Sequence, residues 1–162
     1  MKKISFDSGV QEFQINDNGV LRFNPSDPNV YRRFFEAKDH IGKYAEEYEK
    51  KAEEYEKKLV EVENQQPDER SAAEIAFAEM AAIDKKVKAE LTYVFGAEND
   101  FDKILGGVSL LAVTKTGYVI TNLFAALLPI IEQGAKDQAQ AKVTEIKANR
   151  EMRRAMMKNA RE

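Results

Sequence analysis

Residues 45–58 read AEEYEKK-AEEYEKK, a seven-residue unit repeated residue for residue. The repeat sits in a longer stretch that opens at Asn24-Pro25-Ser26-Asp27-Pro28 and meets no further proline until Pro67. Asp27 can cap a helix whose first position is Pro28, where the missing N–H would have had no helical partner anyway. Downstream, Tyr31, Phe34, Ile41, Ala45, Tyr48, Ala52, Tyr55, Leu59 and Val62 recur at spacings of three and four, interrupted only at Lys38. That period predicts one long heptad arm over residues 28–65. With Ala at a and Tyr at d, Glu49 and Glu56 fall at e and Lys51 and Lys58 at g, the self-complementary charge choice of a paired helix. Alanine and tyrosine make a thin, rather polar seam, which argues against a tight isolated two-stranded coiled coil. Two uses stay open: a solvated arm with Tyr48 and Tyr55 packed on the following helix, or a contact surface for another subunit or partner.

Outward from the arm, residues 1–24 read as a small β-hairpin. Phe13 and Ile15 alternate with Glu12, Gln14 and Asn16, Asp17-Asn18-Gly19 supplies a turn, and Val20, Leu21 and Phe23 form a second apolar run. On the other side, Asn64-Gln65-Gln66-Pro67-Asp68 should break the arm, and Ser71-Ala72-Ala73-Glu74 has the spacing of a capping box that opens a second helix. Phe77, Met80, Ile83, Val87, Leu91 and Val94 trace its apolar face, and Gly96 suits the position just past its end. An αα-hairpin follows. Phe101-Asp102-Lys103-Ile104-Leu105 then reads as a single helical turn closed by Gly106-Gly107.

The most apolar stretch, residues 104–131, contains one charge, Lys115. Only 16 uncharged residues separate Lys115 from Glu132, fewer than the roughly 20 a bilayer crossing needs. A longer span would carry Lys115 near its middle at a cost of about 3 kcal/mol. The expectation is a central helix over residues 109–133, buried on most sides and kinked or ended by Pro129, whose ring opposes the carbonyl of Ala125. No membrane role is expected. The segments expected are thus a hairpin over 1–24, a helical core over 25–134, and a polar, basic C-terminal helix over 135–162.

Lys and Arg total 25 against 28 for Asp and Glu, a net charge of −3 with no global pull toward nucleic acid or anionic lipid. The charge is unevenly placed: residues 142–162 hold seven bases and three acids, +4, leaving −7 on the remainder. Such a tail can meet an acidic surface on this chain or on a partner. It has no aromatic residue on which a base could stack, and no nucleic-acid partner is expected. The chain has no cysteine, which removes disulfides, thiolate nucleophiles and sulfur-ligated zinc. Its one histidine, His40, lies between Asp39 and Lys43 on a charged helix face and reads as solvated rather than as a general base. Gly106-Gly107 belongs to no phosphate-binding glycine motif. No catalytic, metal or cofactor site is expected, and the reading is of a non-enzyme. Met1-Lys2-Lys3 is followed within four residues by Asp7, unlike a secretory signal, so export is not expected.

The order of elements resembles the tail assembly chaperones of long-tailed, siphovirus-type bacteriophages. The likeness rests on Phe23-Asn24-Pro25-Ser26-Asp27-Pro28-Asn29-Val30-Tyr31 entering the first helix after a short β segment. It extends through Val94-Phe95-Gly96, Asp100 and the run Phe101 to Gly107, and ends with Asn122-Leu123-Phe124-Ala125-Ala126-Leu127-Leu128-Pro129. The AEEYEKK repeat and the basic tail have no place in that pattern. The resemblance implies a non-enzymatic chaperone of the host bacterial cytoplasm, absent from the mature virion. Such a protein would bind and solubilise the tape measure protein and help recruit tail tube subunits. A client with helical apolar stripes needs an apolar groove. The expected partner-binding or self-association residues are Tyr48, Tyr55, Phe101, Leu105, Leu111, Val119, Phe124 and Leu127, with the bland reading that most are core. The self-complementary charges also favour a homo-oligomer. A structural oligomerising scaffold or adaptor without a client is the alternative.

Overall fold

The N-terminal residues pair as expected. The computed structural model, which describes residues 2–61 and 69–159, joins β1 (Gln11–Ile15) and β2 (Gly19–Phe23) as an antiparallel hairpin. Phe13 lies opposite Leu21, so both apolar runs face the same side. That side meets the core through rings: Phe13 stacks on Phe23 at 4.8 Å, Phe23 meets Phe95 edge-on at 4.9 Å, and Phe95 lies 6.1 Å from Phe101.

The helical part begins at α1 (Pro28–Glu61), where Asp27 caps as its sequence position suggests, its Oδ1 accepting the Asn29 N–H at 2.8 Å. α2 (Glu69–Phe95) returns antiparallel to it, and their contacts run in opposite senses along the two helices. The Arg33 guanidinium lies over the Tyr93 ring, Tyr93 Oη donates to Glu36, Tyr44 Oη donates to Glu90 at 2.8 Å, and Lys51 pairs with Glu79 at 3.8 Å. Lys51, the first of the two g-position lysines, therefore finds an acid on the neighbouring helix of the same chain. α2 is already helical at Glu69, so Ser71 stands inside the first turn and is not its cap. The proposed break at residues 64–68 lies outside the described residues. The helix stops at Phe95, with the Gly96 N–H donating to the Thr92 carbonyl at 2.9 Å.

The apolar stretch that follows is not one helix. α3 (Phe101–Ile104) is a single turn, capped by Asp100, whose side chain accepts the N–H groups of Asp102 and Lys103. Gly106 and Gly107, at φ 62° and 76°, then turn the chain through conformations that side chains resist. A second hairpin, β3 (Val113–Thr114) with β4 (Gly117–Tyr118), precedes α4 (Val119–Asn159). The expected helix over 109–133 is corrected accordingly: it begins only at Val119, because Thr114-Lys115-Thr116-Gly117 closes a turn. In that turn Thr114 Oγ1 donates to the Gly117 carbonyl at 2.7 Å and receives the Thr116 N–H. Nor is the helix buried on most sides. Ile120, Leu123, Leu127, Ile131 and Gly134 form one buried row, while Thr121, Ala125, Ala126 and Pro129 are exposed. Pro129 does not end the helix, and α4 passes residue 134 unbroken. At Gly134 a Cβ would overlap the carbonyl oxygen of Pro25, so only glycine lets α4 cross the start of α1 this closely.

The core gathers Leu21, Phe34, Ala37, Val87, Leu91, Leu110, Leu127 and Ile131, from every layer of the fold. One polar residue stitches it: Asn99, 3% exposed, accepts the Arg22 N–H at 2.9 Å and donates to the carbonyls of Arg22 and Phe95 at 2.9 and 2.7 Å. Asn99→Ala would strand those backbone groups and is expected to lower unfolding free energy by about 2–4 kcal/mol, read from the urea midpoint. Asn99→Asp loses both donors and should not rescue it. Gly134→Ala, although it raises helix propensity, is expected to lower the melting temperature.

Candidate functional site

An open, largely apolar groove of about 490 Å³ lies where α1, α2 and the start of α4 fail to close over one another. From α1 it takes Lys38, Ile41, Gly42, Ala45, Tyr48 and Glu49; from α2, Met80, Ile83 and Val87. Leu111, Tyr118, Ile120, Thr121 and Phe124 close the third side. The volume falls in the ordinary range of ligand sites, but the lining offers few polar groups to orient a small molecule. Helix geometry accounts for the shape. Ile41, Ala45 and Tyr48 follow one another at spacings of four and three, so they form one face of α1. Small residues at Gly42 and Ala45 leave that face hollow, and a Cβ added at Gly42 would meet nothing within 4 Å.

The third wall is held by charge. Asp84, buried on α2, accepts the Leu110 N–H at 2.7 Å and the Ser109 hydroxyl at 3.1 Å through Oδ1. Its Oδ2 lies 2.7 Å from Lys88 Nζ, which also reaches Asp102 at 2.6 Å. Burial disfavours the charged ammonium, yet the hydrogen bonds to Asp102 and Asp84 outweigh it and leave the Lys88 pKa above its ordinary value. Leu110 is fully buried as a result, Leu111 beside it faces the groove, and the Ile120 N–H donates to the Leu110 carbonyl at 2.9 Å. Phe124 stacks on Phe34 at 4.7 Å and forms the floor toward the core. On the α1–α2 seam His40 Nδ1 sits 3.1 Å from Glu90, which also receives the Tyr44 hydroxyl. That hydrogen bond, with burial, raises the Tyr44 pKa.

The residues singled out from sequence divide into three groups. Tyr48, Leu111 and Phe124 come together in the groove. Phe101, Leu105 and Leu127 are 3, 6 and 2% exposed and belong to the core, while Val119 is half-buried and packs against it. Tyr55 lies on α1, but its side chain is outside the described residues, as are those of Ala52 and Leu59; Val62 lies outside altogether. Sequence reasoning did not assign Ile41, Gly42, Met80, Ile83, Val87 or Tyr118 to a site. The available signal was a glycine and an alanine within an apolar helical stripe, which mark a face too shallow to fill its own neighbourhood. Among the described residues no group of His, Cys, Asp and Glu could hold a metal ion, and no helix is long and apolar enough to cross a membrane. No family profile, no curated protein and no solved structure matches this chain.

Asp84→Ala is expected to lower stability by about 2–4 kcal/mol, since it orphans a buried N–H and leaves Lys88 with one carboxylate. Because the Lys88 pKa is raised on folding, the ion-pair part of this contribution should be complete at neutral pH and lost only as pH rises through the raised value. Denaturant unfolding of both proteins at neutral and strongly alkaline pH checks the sign: the difference between them should shrink at high pH.

Proposed function

We propose that this protein is a non-enzymatic tail assembly chaperone of a long-tailed bacteriophage, which binds and solubilises helical segments of the tape measure protein and helps recruit tail tube subunits. The observation that supports the reading is the groove itself. It is long on apolar wall and short on directional polar groups, and it runs along α1, a shape suited to the apolar face of a helix. Docking in this mode needs only shape and apolar area, so one groove can serve many similar stretches of a long client. The exposed Glu49 and Lys38 at its edge leave room for charged flanks on that client.

Gly42 supplies the test. Tryptophan there would project into the groove from a position with open space before it, and replacing a mid-helix glycine should itself stabilise α1 by about 0.5 kcal/mol. Co-expressed with its phage's tape measure protein, the wild-type chain is expected to keep the client soluble and co-purify with it in several copies. Gly42→Trp is expected to lose at least tenfold of that co-purification while its melting temperature holds or rises. A client that stays insoluble beside the wild-type chain would overturn the chaperone reading. Undiminished binding by Gly42→Trp would move the site elsewhere.

A further inference from the structure

Among the described residues, no other element packs on the C-terminal part of α4. Every residue from 136 to 157 is exposed, among them Val143 and Ile146 at 45 and 46% and Met152, Met156 and Met157 at 58, 64 and 69%. In proteins most helical stability comes from the packing of an amphipathic face. Val143 and Ile146, with Ala139 a turn before them, share one face; Lys142 and Lys147 flank it on either side, and Arg150 follows on the same face a turn beyond Ile146. The groove presents the converse. Beside its apolar wall on α1, Glu46, Glu49 and Glu53 follow at spacings of three and four, so they line one edge, and all three are exposed.

The two cannot meet within one chain. Ile120, Thr121 and Phe124 are themselves a wall of the groove, and α4 runs unbroken from them into the tail. Val143 lies nineteen residues beyond Phe124, about 28 Å farther along the same helix axis. A rigid continuation of the wall cannot turn back into the space that the wall encloses.

We infer that the basic tail of α4 docks in the groove of a second copy of this protein, with Val143 and Ile146 against its apolar floor and the positive charge carried by Lys142, Lys147 and Arg150 drawn to the acidic edge of Glu46, Glu49 and Glu53. The inference rests on reading the groove as a helix-binding site and names its occupant when no client is present. Client binding then requires release of a tail.

A charge exchange in the full-length chain tests it. One variant carries Lys142→Glu, Lys147→Glu and Arg150→Glu; the other carries Glu46→Lys, Glu49→Lys and Glu53→Lys. All six sites are exposed and helical, and Glu and Lys have similar helix propensities, so circular dichroism should be unchanged. By light scattering after gel filtration at low salt, the wild type should have at least twice the 18.4 kDa chain mass, falling toward the monomer at about 1 M salt, where screening reaches within a few ångströms. Each variant alone should be monomeric, and an equimolar mixture should recover the wild-type mass. A wild type that stays monomeric up to millimolar concentration, variants that still associate, or a mixture that fails to recover would each overturn the proposal. Tape measure capture by the tail-reversed variant separates the two readings. Intact capture with a monomeric wild type rejects tail docking and spares the groove as a helix site. Recovered assembly in the mixture without capture upholds tail docking and rejects the chaperone reading.

Discussion

The carboxylate of Asp84 accepts a backbone N–H from Leu110 with one oxygen and faces the Lys88 ammonium with the other. Its position decides where the chain between α3 and α4 can run. With Leu110 held against α2, Leu111 and Tyr118 lie on the groove, and α4 meets Phe34 through Phe124. The same carboxylate thus sets the third wall of the groove and the direction in which α4 leaves. A buried, paired charge contributes little net stability compared with apolar packing of the same volume. Its effect here is to select one path for a glycine-rich segment that could otherwise follow several.

The elements that were legible in the sequence are those whose signals are local. Asp27-Pro28 marks the start of α1, Gly96 the end of α2, Asp17-Asn18-Gly19 the first hairpin, and Gly106-Gly107 the end of α3, each through a backbone preference that acts within a few residues. The mainly α class, with its small hairpin and αα-pair, follows from them. The stretch from 105 to 118 was illegible for the opposite reason. Its composition is mostly apolar, and its path depends on a hydrogen bond to Asp84, more than twenty residues earlier in the chain, as well as on the local Thr114–Gly117 turn. Periodicity cannot register such a contact. Pro129 misled for a related reason: it lies on an exposed face, where the lost hydrogen bond is open to water and the flanking turns are pinned by Leu127 and Ile131.

The candidate site shows the same division. Tyr48, Leu111 and Phe124 line the groove, whereas Phe101, Leu105 and Leu127, singled out from the sequence on the same grounds, fill the core. Sequence spacing gives the face of each helix but not how far a neighbouring helix extends over it. Here α4 crosses the pair near Phe34 and departs, so the α1 face is covered at Ala37 and open at Ala45. Whether a stripe is core or site depends on that crossing point, which Gly134 fixes by its contact with Pro25.

Joining a groove and its complementary helix through one rigid element has an energetic consequence. Because α4 forms both the wall of its own groove and the tail offered to another, each chain carries one donor and one acceptor that cannot satisfy each other. Such a heterologous pairing either closes reciprocally in a dimer or continues from copy to copy. Under the proposed docking, a client helix entering a groove would have to displace a tail, so client affinity would be lowered by the free energy of the tail contact, and by linkage bound client would weaken self-association by the same factor.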